Sequence, residues 1–332
     1  MTALRARFMP PTIPAAKSTT SLLPPVGSPW ADRAFKWAAL LAALTIAALI
    51  VLVGWELYAG SRLAVAKFGA SFFVSSKWNP VTDQYGALPF IFGTLVSSLI
   101  ALAIAVPLGV ATALFLTELA PRKVRQPIVM LIEMLAAVPS VIFGMWGIFV
   151  LVPWLRDHLF VWLKSTLGFL PFFQGPIYGV SVLAGGIVVA IMILPIVTSI
   201  SREILRSVPD LQREAAYALG ATRWEAIRIA VLSYARRGLL GAAVLGLGRA
   251  LGETMAVTMV IGNRPEISAS LFAPGYTLAS VIANEFTEAT SDLYLNALFE
   301  LGLVLLVVTI LVNIAAQVML KSITGGGTGK VH

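Results

Sequence analysis

The sequence predicts an all-α integral membrane protein, a bundle of six transmembrane helices. Apolar residues make up 58% of the 332 residues and charged residues only 12%, about half the charged share of a soluble domain. Six stretches are long enough to span a bilayer, since a helix crosses it with about 20 mostly apolar residues. Lysine and arginine concentrate between alternate stretches, which is typical of loops on one side of a membrane.

The six predicted spans form one membrane domain with a short tail at each end. In chain order they cover residues 37–58, 89–117, 128–155, 179–200, 238–262 and 296–320. Pro107, Pro139 and Pro195 fall inside the second, third and fourth spans, where neighbouring helices can satisfy the backbone groups that proline frees. We expect a disordered cytoplasmic tail over 1–33, rich in Pro, Ser and Thr, a six-span domain over 34–321 and a flexible cytoplasmic tail over 322–332.

The distribution of positive charge sets the orientation. If both ends are cytoplasmic, 17 of the 24 Lys and Arg residues lie in cytoplasmic segments and six outside, while Arg249 lies within a span. This excess is the positive-inside pattern. The net charge of +8 therefore needs no nucleic acid to explain it, and the expected location is a prokaryotic cell membrane crossed several times.

The composition excludes several kinds of chemistry. The chain has no cysteine and only two histidines, so thiol catalysis and Cys- or His-based metal clusters are not expected. The ending TGGGTGK, residues 324–330, fails as a phosphate-binding loop because the first glycine is misplaced and Val331 replaces the required Ser or Thr. We therefore expect no cofactor, no metal and no enzymatic activity in this chain.

The polar, basic segment 202–237 is predicted to be a cytoplasmic loop of two helices joined by a glycine elbow. Pro209 suits a first helical turn, and Gly220 suits a left-handed stop. Thr222 and Glu225, three residues apart, form a capping box that opens the second helix.

One face of the first loop helix is apolar although the surrounding loop is polar. Its residues at helical spacing are Leu211, Ala215, Ala218 and Leu219. An apolar helix face of this kind is normally buried against another protein surface. Two interpretations fit: the helix docks into a partner protein, or it lies on its own membrane domain.

Two charges inside the fifth predicted span are the main candidate site. Arg249 and Glu253 are four residues apart and so would share a helical face, and glycines at 246, 248 and 252 would let other backbones approach. Ionisable groups at membrane depth are functional candidates, although an ion pair that only holds helices together also fits. An arginine fork suits an oxyanion, and the carboxylate beside it suits one that carries a proton, as hydrogenphosphate does and sulfate does not.

Further features fall at span ends or outside the spans. Glu133 is another acidic residue at membrane depth, whereas Glu118 is expected to snorkel to water. The outer segment 263–296 carries one apolar stripe, formed by Leu278, Val281, Ile282 and Phe286. This stripe fits a re-entrant gate, a receptor-docking surface, or simple packing onto the span ends.

The loop also carries a recognisable motif. EAAYALG, residues 214–220, resembles the EAA loop of ATP-binding-cassette importer permeases. Further along, Ala230 and Ser233 stand where that motif has Ile and Pro, which weakens a sharp boundary at the end of the second loop helix but leaves the elbow intact.

Longer matches extend over nearly the whole chain from about residue 30. FLTELAP at 115–121, EMLAAVPSVIFGMWG at 133–147, GLGRALGETMAVTMVIGN at 246–263 and ANEF at 283–286 resemble the phosphate-specific permease family PstC. The resemblance implies the six-span type I importer fold. It also implies a permease subunit paired with a PstA-like permease, two ATPase subunits and an extracytoplasmic phosphate-binding protein.

The resemblance also implies roles for single residues. Glu214, Ala215, Ala216 and Gly220 would belong to the helix that couples to the ATPase. Arg249, Glu253, Glu133 and Glu285 would belong to the substrate pathway. Import of sulfate, molybdate or phosphonate is the nearest alternative, since those permeases share the EAA loop. An ion-coupled phosphate carrier or channel would leave the two-helix loop unexplained. A membrane enzyme acting on phosphorylated lipids would need a nucleophile or metal-ligand cluster, and the sequence shows none.

Overall fold

The computed structural model describes residues 29–324, and the side chains of 30–319. This part of the chain is helical and holds two isolated β-bridges rather than a sheet. It divides into two compact units at Val53 and Gly54. Most of the two expected tails, 1–28 and 325–332, lies outside the described residues.

Besides two short 3₁₀ turns at Pro80–Thr82 and Pro171–Phe173, twelve α-helical elements follow one another in the described residues, several of them interrupted by π-helical turns. They are α1 (Pro29–Gly60), α2 (Arg62–Phe68), α3 (Ser71–Val74), α4 (Leu88–Leu119), α5 (Arg122–Ala136), α6 (Ser140–Leu167), α7 (Val182–Arg206), α8 (Asp210–Ala218), α9 (Arg223–Leu251), α10 (Met255–Val260), α11 (Leu278–Glu285) and α12 (Asp292–Thr324). The π-helical turns lie at the end of α4 and within α6 and α9. Six of these helices, namely α1, α4, α6, α7, α9 and α12, are long and apolar enough to cross a membrane. The all-α, six-span prediction is confirmed.

The third span differs from its prediction. The sequence predicted one helix over 128–155, but α5 ends at Ala136 and the spanning helix α6 runs from Ser140 to Leu167. Pro139 has no N–H to continue the hydrogen-bond ladder of α5, and it occupies the N-cap of α6 with extended ψ. The proline therefore separates two helices instead of kinking one.

The fifth span also differs. The sequence predicted a helix over 238–262, whereas α9 starts at Arg223, runs through Leu251 and stops at Gly252. After a break the chain resumes as the short helix α10. The second loop helix and the fifth span are thus one helix, which agrees with the absence of the proline that would have separated them.

Helix α7 lies at the centre of the second unit. About two thirds of its most apolar window is buried (67%), more than in any other candidate span. Small residues allow this packing. A Cβ at Gly186 would come within 2.6 Å of Ile100 on α4, and one at Gly109 within 2.9 Å of Val197 on α7. The α4–α7 contact is therefore a close helix packing at the centre of the second unit.

Aromatic side chains build a second core around α2, α3 and the starts of α4, α11 and α12. Trp78 packs edge-on against Tyr85 and Phe90 with ring centroids 4.9 Å apart, and Tyr85 stacks on Tyr294 at 5.6 Å. We name Trp78, Tyr85, Phe90, Tyr276 and Tyr294 the aromatic cluster. Burial raises the pKa of Tyr85 to about 12, so its phenol stays neutral. Three residues of the predicted stripe, Leu278, Val281 and Ile282, belong to this core, whereas Phe286 is 44% exposed.

Substituting Gly93→Ala is expected to destabilise the protein by about 1–3 kcal/mol, the usual cost of overpacking. A Cβ at this position would lie 2.2 Å from the carbonyl oxygen of Tyr276, and a backbone atom cannot move aside as a side-chain tip can. Thermal unfolding of the purified protein measures the effect. Gly241→Ala is the matched control, because a Cβ there meets nothing within 4 Å and alanine favours a helix. Equal melting temperatures for the two variants would contradict the expectation.

Candidate functional site

Arg249 and Glu253 lie at the end of α9, on either side of a helix stop. Arg249 belongs to the last turn of α9 and is exposed, while Gly252 ends the helix and Glu253 lies in the break before α10. The prediction that the two share one helical face is wrong, because Gly252 stops the helix before Glu253. The two side chains nevertheless lie close enough to interact.

The Glu253 carboxylate is buried in polar surroundings, and the residue is only 8% exposed. Besides Arg249, the groups that act on it are the backbone N–H groups of Thr254 and Ala256 and the side chain of Ser140. The two N–H groups belong to the start of α10, where such groups have no partner within the helix, and the Ser140 hydroxyl lies at the start of α6. Glu253 therefore accepts from two helix starts while it faces Arg249.

Close packing of α6 on α10 fixes this geometry. A Cβ at Gly144 would lie 2.6 Å from the sulfur of Met259 and 3.0 Å from the Cα of Ala256. Only glycine allows the two helices to come this near, so the sequence around 140–147 positions the start of α6 beside Glu253.

The glycines beside Arg249 differ in their surroundings. A Cβ at Gly246 would meet Val197 at 2.9 Å, whereas one at Gly248 meets nothing within 4 Å among the described residues. The atoms near Gly246 belong to side chains of α4 and α7, so the expected close approach of another backbone is not found there among the described residues. The surface around Gly248 and the exposed Arg249 is open to solvent, to a ligand or to a second protein.

Glu133 lies apart from this pair. It is exposed on α5 and lines a cavity of about 240 Å³ between α5 and α7 with Pro195 and Ser199. A smaller neighbouring cavity is lined by Glu133 together with Thr198 and Arg202. The cavities place polar groups of α7 opposite Glu133.

Glu285, the last residue of α11, joins the aromatic cluster. Its Oε2 accepts hydrogen bonds from the Trp78 indole at 2.8 Å and from the Tyr294 hydroxyl at 2.6 Å. Both donors tie α11 to neighbouring elements. The four acidic and basic residues expected in the pathway thus occupy three places: Arg249 with Glu253, Glu133 at the α5–α7 cavities, and Glu285 in the aromatic cluster.

The loop between α7 and α9 has the predicted form. Helix α8 ends at Ala218, and Gly220 adopts a left-handed conformation with φ of +80°. Thr222 then caps α9: its N–H and hydroxyl donate to Glu225 Oε2 at 2.8 and 2.7 Å, and its Oγ1 accepts from the Glu225 N–H. The helix, elbow and capping box are all confirmed.

The apolar face of α8 is uncovered in this chain. None of the α8 residues is buried, and Leu211 and Leu219 are 72% and 90% exposed. Glu214 and Ala215 are also exposed, while Ala216 is half-buried. The alternative in which this face lies on the chain's own membrane domain is therefore wrong, since no described residue covers it.

Replacing Gly220 tests the elbow. Gly220→Val is expected to destabilise the turn by about 1–2 kcal/mol, because left-handed backbone is costly for residues with a Cβ. Gly220→Asn should cost less, since asparagine tolerates this conformation. A Cβ here meets nothing within 4 Å, so the difference reports backbone conformation alone. Hydrogen exchange at the Gly220 and Ala221 amides, which donate to Tyr217 and Ala216, measures it. Equal protection in both variants would argue against this account.

Sequence reasoning missed the role of Glu118. We expected its side chain to reach water, but Glu118 Oε1 accepts a hydrogen bond from Arg213 of α8 at 2.9 Å, and the carboxylate side chain is only 13% exposed. The expectation is wrong because α8 folds back over the end of α4. The partners are 95 residues apart in sequence, so local spacing gives no sign of the pair.

The fold and the site define a multi-pass membrane protein with an exposed, partly apolar loop helix and a charged pair at the end of a span. Residues 105–325 match the family described as "Binding-protein-dependent transport system inner membrane component". The chain belongs to this family of transport permeases.

Curated relatives match over most of their length. The chain is 48% identical over 296 residues to the phosphate transport system permease protein PstC of Mesorhizobium japonicum, covering 88% of this chain and 90% of that protein. It is 46% identical to the protein of the same name from Haemophilus influenzae, over 88% and 93% of the two chains. Among solved structures, it is similar to an inward-facing MetNI methionine ABC transporter chain with a TM-score of 0.49 and 17% identity, over 71% and 94%.

Proposed function

We propose that this chain is a membrane-spanning permease subunit of an ATP-driven, binding-protein-dependent importer of inorganic phosphate. Family membership supports transport, and the names of the curated relatives support phosphate. The single observation that carries the proposal is the pairing of an exposed Arg249 with a buried Glu253 at the end of α9.

The chemistry of this pair suits hydrogenphosphate. The planar guanidinium of Arg249 can make two charge-assisted hydrogen bonds to an oxyanion. Glu253 would repel a fully ionised anion, but it can accept a hydrogen bond from the protonated oxygen of hydrogenphosphate. In the empty state the carboxylate balances Arg249 and accepts from the N–H groups at the start of α10, so neither charge is left unpaired.

Partners complete the transporter. The open surface around Gly248 and Arg249 would face a second, PstA-like permease, so that the pathway forms between the two subunits. The exposed apolar face of α8, with Glu214, Ala215, Ala216 and the Gly220 elbow, would dock into one of two ATPase subunits. An extracytoplasmic phosphate-binding protein would deliver the substrate. ATP hydrolysis would take place on the ATPases, since this chain carries no nucleotide-binding loop.

Transport then follows from movement of the spans. ATP binding closes the two ATPases, and α8 carries their motion into α7 and α9, so that the pathway opens alternately to each side of the membrane. Phosphate leaves the binding protein, passes Arg249 and Glu253, and reaches the cytoplasm. Glu133 lines cavities against α7 and belongs to the proposed pathway, while Glu285 supports its outer wall through Trp78 and Tyr294.

Labelled-phosphate uptake in proteoliposomes tests the proposal. The vesicles hold this chain with the second permease and the ATPases, with the binding protein on one side and ATP on the other. We expect uptake that requires both ATP and the binding protein and that excess unlabelled phosphate, but not sulfate, suppresses. Uptake without ATP would instead indicate a channel or carrier, and suppression by sulfate would indicate a broader oxyanion importer.

A further inference from the structure

We propose that Arg213 and Glu118 form the link through which α8 moves the cytoplasmic end of α4. This inference rests on the proposed function, because it assigns the contact that carries motion from an ATPase into the membrane domain. We name Arg213, Glu118 and the carbonyl groups of Leu205 and Val208 the Arg213 clasp.

The guanidinium of Arg213 joins three parts of the chain. Its Nη2 donates to Glu118 Oε1 at 2.9 Å and to the carbonyl oxygen of Leu205 at 3.2 Å, and its Nη1 donates to the carbonyl oxygen of Val208 at 2.7 Å. Glu118 lies in the last turn of α4, Leu205 in the last turn of α7, and Arg213 on α8. One side chain therefore fixes the docking helix to two spans.

Burial makes the contact strong. The side chains of Arg213 and Glu118 are only 19% and 13% exposed. A charge pair with so little solvent is weakly screened, and losing one partner leaves the other charge without compensation. The other ion pair of Arg213, to Asp210 Oδ1 at 3.1 Å, differs because the Asp210 side chain is 89% exposed. Exposed pairs contribute little.

A second contact reaches the same residue from the other loop helix. Arg223, the first residue of α9, donates to the backbone carbonyl of Glu118. An apolar cluster packs at the same junction; its buried residues are Ala113 of α4, Leu205 of α7, Val208 just after α7, and Val231 and Ala235 of α9. The end of α4 is thus held by both helices of the docking loop.

The arrangement of α8 explains why this link would transmit force. Its apolar face points away from the chain and is exposed, while Arg213 lies on the inward side of the same short helix. A partner that moves the exposed face must move Arg213 with it, because helices are stiff over two turns. The buried pair then moves Glu118 and the end of α4.

Substitutions in the assembled complex test the proposal. Glu118→Gln keeps the size of the side chain but removes its charge, and Arg213→Gln removes the other charge. We expect each variant to bind the ATPase normally but to move about 10-fold less phosphate per ATP hydrolysed, as befits loss of a buried pair. The double variant should be no worse than the worse single variant, because the residues act as a unit. Asp210→Asn is the matched control and should keep the wild-type ratio.

A readout without phosphate separates this inference from the proposed substrate. ATP should change hydrogen exchange at the amides of residues 115–119 in the wild-type complex, and this change should be absent in Glu118→Gln and Arg213→Gln. The clasp would be overturned if both single variants showed the same ATP-dependent change in hydrogen exchange as the wild type. It would also be overturned if the losses in phosphate moved per ATP in the two single variants multiplied in the double variant. Either result would count even if phosphate uptake is normal. If the wild-type complex shows the exchange change but takes up no phosphate, the proposed substrate falls and the clasp stands.

A crosslink between positions 118 and 213 distinguishes loss of the link from misfolding of the variants. The chain contains no cysteine, so Glu118→Cys with Arg213→Cys gives one defined pair. The pair is joined by a short bifunctional maleimide in native membranes before extraction. We expect the joined form to recover the ATP-dependent exchange change and the unjoined form to lack it. No difference between the two forms, or loss of ATPase binding in the joined form, would overturn the proposal.

Discussion

Arg249→Gln is expected to lower ATP-driven phosphate uptake by about 10-fold to 100-fold. Hydrogen bonds to charged groups contribute about 1.5–3 kcal/mol each, and about 1.4 kcal/mol is a factor of ten. Glutamine keeps much of the length but loses the positive charge, and the buried Glu253 then has no cation to balance it. Initial rates of labelled-phosphate uptake in proteoliposomes measure the effect.

The control for this prediction is an arginine that forms a solvent-exposed ion pair. Arg156 contacts Asp157 at 2.7 Å, and both side chains are about half exposed, 51% and 53%. Such pairs contribute about 0–1 kcal/mol, so Arg156→Gln should leave uptake almost unchanged. If Arg249→Gln still binds the ATPase and takes up phosphate normally, Arg249 is excluded from the pathway. The ion pair of Arg249 with Glu253 would then have only the structural role of holding helices together.

Leu211→Glu is expected to reduce ATPase binding by about 10-fold to 100-fold. Burial of a leucine side chain contributes about 1.5–3 kcal/mol, and Leu211 is available for burial because it is 72% exposed in this chain. The substitution should not unfold α8, since Leu211 lies in its first turn, where acidic residues interact favourably with the helix dipole. Co-purification of the ATPase with the solubilised permease pair measures the effect.

Leu211→Met provides the matched control, because it keeps an apolar side chain of similar volume. Its ATPase binding should equal that of the wild type. If Leu211→Glu also binds the ATPase fully, the exposed face of α8 is not the docking surface, and the coupling role of Glu214, Ala215, Ala216 and Gly220 would lose its support.

Local patterns predicted the features that depend on a few neighbouring residues. The Gly220 elbow and the Thr222–Glu225 capping box follow from backbone preferences that act over three or four positions. The six spans follow from length and apolar composition. Arg249 was found because a full charge inside an apolar window is conspicuous.

Features that depend on contacts between distant segments could not be predicted in this way. Hydropathy does not locate the helix stops at Pro139 and Gly252, since both lie within longer stretches that are mainly apolar. The contact of Arg213 with Glu118 and the place of Glu285 beside Trp78 arise only when the chain folds. In each case the partner is far away in sequence, and an isolated charge near a span end looks the same whether it meets water or another helix.

The unbroken course of α9 from Arg223 to Leu251 has a mechanical consequence. A helix of this length measures about 43 Å at 1.5 Å per residue. It begins just after the Gly220 elbow and carries Arg249 in its last turn, so in the proposed transporter it would act as a lever between the ATPase-facing loop and the substrate pathway. A tilt of about 10° about the elbow would displace the tip by about 7 Å. In the proposed transporter, a small movement at the ATPase-facing end of α9 would therefore become a larger displacement of Arg249.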